Sequence, residues 1–262
     1  MTKVALLMGL NYRGSSAELS GCINDVINTG KVLEEIYGYK SEEILYMTDD
    51  SEIKPTIKNI LDQLAVLAKR TINEEINEVW ISYSGHGSYV ADRSGDEDDG
   101  KDECLVPLDY AQNGVILDDD LNYVLGLFNP DTRVIFIVDA CHSETMLDLP
   151  YRYVSGNKNV IENSESNVEC NCIMISGCRD NQTSSDAYGI NNSKEYSGAM
   201  TSALLYVLDK FDYTITCWRL LKEMRRFLKQ RKFSQVPQIS CKDMLNCAKL
   251  FSCVQPKSFI QN

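Results

Sequence analysis

The sequence predicts an α/β fold in which a parallel sheet is covered by helices on both faces. Three observations lead to it. Short runs that are apolar throughout, such as Val134-Ile135-Phe136-Ile137-Val138, recur along the chain. A strand without polar alternation is buried on both of its faces, as in a parallel sheet. These runs alternate with longer stretches of helical spacing, and 262 residues of which 44% are hydrophobic suffice for one sizeable core or at most two small ones.

Each element follows from local pattern. Residues 3–11 are an apolar run that ends in polar residues before Gly14, a first strand. Residues 20–37 place Ile23, Val26, Ile27, Leu33 and Ile36 at helical spacing, and Gly38 stands where a helix stops. A short strand at 43–48 precedes a helix at 55–70, with Ile57, Ile60, Leu61, Leu64 and Leu67 on one face. A strand at 78–84 runs into the tight Gly85-His86-Gly87, and Arg133–Asp139 is the next buried strand. Residues 151–169 are rich in Asn, Ser and Glu and read as a polar linker. Order returns with a strand at 171–177, helices near 198–210 and 215–232, and a last strand at 236–241. One domain over 1–262 is therefore expected, with a larger part (1–150) and a smaller part (170–262) joined by the linker.

Bulk composition narrows the function. A net charge of −12 speaks against nucleic-acid binding, which needs Lys/Arg patches on phosphate. No run of about 18 apolar residues exists, so no membrane association is expected. The apolar stretch from Val4 to Leu10 is short and reads as a strand, not a leader. A cytoplasmic location is the expectation. The ten cysteines form no C-x-x-C pair and read as reduced, mostly buried thiols. With only His86 and His142 as histidines, a zinc site is disfavoured.

Reactive residues gather at the carboxyl ends of strands in open α/β sheets. Two predicted strands deliver them. One presents His86 in Tyr83-Ser84-Gly85-His86-Gly87, the other Cys141 in Asp139-Ala140-Cys141-His142-Ser143. A thiol beside an imidazole ionises near neutral pH because each charge stabilises the other. Flanking glycines allow close backbone approach and free N–H groups, here of Gly87 and Cys141, for an oxyanion. The spacing of 55 residues matches the caspase-type order of His before Cys, although Asp-Ala-Cys replaces the caspase Gln-Ala-Cys.

These motifs, together with Gly21-Cys22-Ile23-Asn24-Asp25, Leu147-Asp148-Leu149-Pro150-Tyr151, Ser176-Gly177-Cys178-Arg179-Asp180-Asn181-Gln182-Thr183-Ser184-Ser185-Asp186-Ala187 and Ser197-Gly198-Ala199-Met200-Thr201, resemble the metacaspases, nearly end to end. The resemblance implies a caspase-like α/β/α sandwich with a mainly parallel central sheet of six or more strands. It implies a cysteine endopeptidase with Cys141 as nucleophile and His86 as base. The order of a large part, a short linker and a small part is similar to type I members, and the chain starts directly at its first strand, so the prodomain of many such members is expected to be missing. A second departure is Glu144, where the family usually has Gly.

The resemblance also implies the ligands. Cys22, Asp25, Ser84 and Asp139 match positions that line a pocket for a basic residue. Two carboxylates there favour Arg or Lys by charge-assisted hydrogen bonds. The acidic residues 96–103 and Asp118-Asp119-Asp120 do not fit the EF-hand pattern, because Gly95 and Glu97 fall where it wants Asp or Asn. In the family a calcium site is made by aspartates that map onto Asp102, Asp118, Asp119 and Asp148, with the choice among Asp118, Asp119 and Asp120 open by one position. Calcium is the expected activator. Peptides and proteins with Arg or Lys at the cleavage position are the expected partners, and the family implies a monomer. Arg152 and Lys158 are candidate self-cleavage points. The alternatives are a folded but catalytically weak or inactive relative that binds partners, or a peptidase of the same clan with another preference, such as Asn.

Overall fold

The computed structural model describes residues 2–91, 101–141, 143, 146–153, 160–162, 166–177, 186–188, 196–245 and 249–252. The strands in chain order are β1 (Thr2–Gly9), β2 (Ile44–Thr48), β3 (Ile76–Ser84), β4 (Gly87–Ala91), β5 (Lys101–Leu105), β6 (Ile116–Leu117) and β7 (Arg133–Asp139). They continue with β8 (Tyr151–Tyr153), β9 (Val160–Glu162), β10 (Asn171–Ser176), β11 (Asp186–Tyr188), β12 (Tyr196–Gly198) and β13 (Gln238–Cys241). The helices are α1 (Cys22–Glu35), α2 (Ile57–Asn73), the single turn α3 (Tyr110–Asn113), α4 (Asp118–Leu125), α5 (Ala199–Lys210) and α6 (Cys217–Gln230).

Eight strands form the central sheet in the order β2-β1-β3-β7-β10-β13-β8-β9. The first five are parallel, and β13, β8 and β9 add antiparallel pairings at one side. The parallel strands are the continuously apolar ones, as burial on both faces demands. In β7, Val134, Phe136 and Val138 pack with α2 and α4, while Ile135 and Ile137 pack with α1, α5 and α6. The result is the expected three-layer α/β/α sandwich. Cys170 and Cys172 join the same core face, as their spacing of two predicts.

The register fixes what happens at the carboxyl edge. Gly9 pairs with Ser84, and Ser84 pairs with Asp139. The strands therefore end level, and His86 and Cys141 each lie two residues past one paired position.

Some elements differ from expectation. The stretch 151–169 contains β8 and β9, which extend the sheet. The polar composition of the stretch hides them, but Tyr151 and Tyr153 pack on the core and the Tyr153 ring lies 6.2 Å from Trp218. The three-stranded antiparallel sheet β4-β5-β6 was not anticipated either. β4 has no buried residue and hence no apolar signature. The helix α4 was not read from the sequence, and Asp118, Asp119 and Asp120 form its first turn. Carboxylates are favoured there by the helix dipole. His142, Glu144, Lys158 and residues 178–185, as well as the acidic residues 96–100, lie outside the described residues.

Candidate active site

The ends of β3 and β7 are tied beyond their ladder. The Gly85 N–H donates to the Asp139 carbonyl at 3.3 Å. Next in line, Gly87 lies so close to Cys141 that a Cβ on it would sit 2.0 Å from the Cys141 carbonyl oxygen. Only a residue without a side chain permits that approach, which brings the His86 and Cys141 segments together. Both side chains are half-buried.

The imidazole is held from the far side. Nε2 of His86 lies 2.8 Å from the Ala17 carbonyl oxygen. A carbonyl can only accept, so Nε2 carries the proton and Nδ1 of the neutral ring is the basic nitrogen. The His86 backbone is clasped as well. Its N–H donates to the Tyr12 hydroxyl at 2.9 Å, and its carbonyl accepts from the Tyr83 hydroxyl at 2.9 Å. Tyr12 donates in turn to the Val106 carbonyl at 2.6 Å, and the Tyr12 ring packs 4.8 Å from the imidazole. Burial pushes both phenols well above their ordinary range, so they stay neutral donors.

On the α1/α5 face of the same edge, Asp25 and Asp139 are both buried. Asp25 accepts from Ser84 Oγ at 2.6 Å and from the Gly198 N–H at 2.8 Å. Asp139 Oδ2 accepts from the Thr201 N–H at 2.8 Å and Thr201 Oγ1 at 2.9 Å. A Cβ on Gly198 would come within 2.2 Å of Asp139 Oδ2 and 2.7 Å of Asp25 Oδ2, so both carboxylates converge on this glycine. Cys22 opens α1 beside them and is buried.

A third cluster lies at the start of α4. Carboxylate oxygens of Asp118, Asp119 and Asp148 all lie within 4.8 Å of one another. Asp118 accepts the N–H groups of Glu103 at 2.7 Å and Asp119 at 2.9 Å. Its carboxyl is nonetheless pushed up to about 7, first by burial and then by the charges of Asp102 and Asp119. Calcium–oxygen distances of about 2.3–2.6 Å let two ligands of one ion stand up to about 5 Å apart, so this spacing fits a calcium ion. Asp148 is held at φ 45°, the left-handed region, which turns its carboxylate into the cluster's reach.

Residues 3–150 match the metacaspase peptidase C14 domain family. The chain is also 35% identical over 90% of its length to Metacaspase-1 of Kluyveromyces lactis. The chain belongs to the metacaspase family. Metacaspase-3 of Trypanosoma brucei brucei is 34% identical over 96% of this chain and is covered to 74% of its own length. This metacaspase chain spans 65% of the Kluyveromyces relative. Among solved structures, a Geobacter sulfurreducens protein superposes with a TM-score of 0.67 at 24% identity, covering 95% of this chain and 97% of that one. Caspase-1 from Spodoptera frugiperda superposes with a TM-score of 0.53 at 13% identity, covering 91% and 85%. These two likenesses speak to the fold, which is caspase-like.

The metacaspase fold thus brings the sequence-chosen residues into three neighbouring groups: His86, Gly87 and Cys141; Cys22, Asp25, Ser84 and Asp139; and Asp118, Asp119 and Asp148, with Asp102 buried close enough to raise Asp118. Asp120 points elsewhere and accepts from the Leu117 N–H at 3.3 Å. Sequence reasoning missed Ala17, which acts through its carbonyl and so leaves no trace in residue type. It missed Tyr12 and Thr201 because each meets its partner only through long-range packing. No helix among the described residues is long and apolar enough to cross a membrane.

Proposed function

We propose that this metacaspase is a calcium-activated cysteine endopeptidase that cuts after Arg or Lys. The convergence of two buried carboxylates, Asp25 and Asp139, on Gly198 beside the Cys141–His86 edge carries the reading. A guanidinium or ammonium is the natural occupant of a site with two acceptors withdrawn from water.

The chemistry follows from the tautomer of His86. Nδ1 takes the Cys141 proton, and the thiolate attacks the scissile carbonyl. The Gly87 and Cys141 N–H groups receive the oxyanion. The imidazolium then gives its proton to the leaving amine as the C–N bond breaks, and an acyl group remains on Cys141. Water, with His86 again as base, hydrolyses that thioester and regenerates the thiol. Ala17 and Tyr12 act by fixing the ring and backbone of His86, so that little reorganisation is needed during the reaction.

Asp118, Asp119 and Asp148, with Asp102 adjacent, would hold calcium. The ion would supply positive charge that lets these carboxylates stay ionised together and pins the chain leaving Leu147 close to the Cys141 strand end. At a cluster open to solvent through Asp119, binding on the order of 10⁻⁴–10⁻³ M is expected. The test is a set of fluorogenic peptides with Arg, Lys, Asp or Asn at the cleavage position, each with calcium and with EDTA. Turnover of the Arg and Lys peptides alone, and only with calcium, is expected. Efficient cleavage after Asp or Asn, or equal rates in EDTA, would overturn the reading.

A further inference from the structure

A cavity of about 370 Å³ lies at the same edge of the sheet, outside the groups described above. Its walls come from the loops that follow β1 and β2: Tyr12, Arg13, Asp49, Asp50 and Lys54, with Tyr110 opposite. This volume lies in the range of ordinary ligand pockets.

Its place in the strand order gives it a direction. The order β2-β1-β3-β7 puts Cys141, after β7, farthest from the cavity, and His86, after β3, between them. Tyr12 is a shared wall, with one ring face 4.8 Å from the imidazole. The carboxylates Asp25 and Asp139 pack instead with α1 and α5 on the opposite face of the sheet. In the proposed reaction the leaving amine must reach His86 to be protonated. A substrate chain that passes from Cys141 over His86 and the Ala17 segment that holds it would run toward the ends of β1 and β2, where this cavity lies.

The charges along the walls are unequal in their availability. Asp49 is buried and spends both oxygens on backbone N–H groups, of Asn11 at 2.8 Å and Arg13 at 2.9 Å. Arg13 and Asp50 pair with each other at the rim. Lys54 is exposed and has no ion pair among the described residues. What remains for a ligand is the Lys54 ammonium, in a cavity that Tyr110 also lines.

We infer that this cavity is the leaving-side subsite of the peptidase, and that it selects acidic side chains in the residues just after the scissile bond. The inference rests on the endopeptidase reading and extends it to the other half of the substrate.

Three substrates with one Arg-containing acyl part test it: a short fluorogenic amide, a peptide with Asp and Glu after the cleavage point, and one with Lys in their place. Exposed ion pairs contribute modestly, so wild type should prefer the acidic peptide by about threefold to tenfold in kcat/KM. Lys54→Glu should invert that order, and Arg13→Ala, which frees Asp50, should weaken it. Equal cleavage of both extended peptides by wild type, or a ratio that Lys54→Glu leaves unmoved while the short amide is still turned over, would overturn the subsite alone. No cleavage of any of the three, the short amide included, would overturn the peptidase reading and the subsite with it.

Discussion

Replacing Gly87 by Ala adds one methyl at the tightest point between the two strand ends. The new Cβ would meet the Cys141 carbonyl oxygen at 2.0 Å and the Ala140 Cβ at 3.1 Å, whereas ordinary contact begins at 3.4 Å. The shortfall against the carbonyl is 1.4 Å, and neither neighbour can rotate aside, because one is backbone and the other a methyl fixed to it. The Gly85–Asp139 hydrogen bond resists separation of the strand ends, so the displacement falls on the His86 and Cys141 segments. Misplacing reacting groups by about 1 Å costs about 10²-fold in rate. Overpacking itself should cost about 1–3 kcal/mol, visible as a drop of several degrees in Tm. The assay is kcat on an Arg peptide amide with calcium, beside a thermal unfolding curve of the same preparation. A loss of about 10²-fold in kcat with a cooperative transition retained is expected. A folded Gly87→Ala protein with kcat within about twofold of wild type would refute the reasoning, since the close approach would then not set the geometry of the pair.

Other perturbations probe the remaining groups. Asp25→Asn keeps an acceptor for the Gly198 N–H and an amide for Ser84 Oγ, so it should fold normally and lower kcat/KM for Arg peptides by at least about tenfold, read in steady-state kinetics. Asp148→Ala removes one of three clustered carboxylates and should raise the calcium concentration for half-maximal activity without lowering Tm in EDTA. The Asp118 carboxyl, pushed up from 3.8 to about 7, makes the metal-free folded chain bind more protons than the unfolded one between those values. The contribution of Asp118 to stability in EDTA should therefore be fullest below that window and be lost as pH rises through it, a difference that thermal unfolding of wild type beside Asp118→Asn would reveal.

The parts legible from sequence share a cause. Buried parallel strands such as Arg133–Asp139 are apolar at every position, and that pattern needs no knowledge of neighbours. The amphipathic stripe of α2, with Ile60, Leu64 and Leu67 buried, is read the same way. The candidate dyad was legible because His86 and Cys141 each follow such a strand. Elements on the surface were not. β8 has three half-buried residues within a polar stretch, and β4 is exposed or half-exposed throughout. Contacts made by backbone atoms, such as the Ala17 carbonyl on His86, are invisible to residue type. The convergence of Asp25 and Asp139 on Gly198 joins residues 173 and 59 positions apart, and only the packed fold brings them together.

Cleavage of peptide chains by Cys141 after basic residues is the proposal on which the rest depends. It is tested most directly by digesting an unstructured protein with the purified chain in calcium and identifying every new terminus by mass spectrometry. The new amino termini should all follow Arg or Lys, and Cys141→Ala should produce none of them. Termini following other residues, or the same termini from Cys141→Ala, would contradict it.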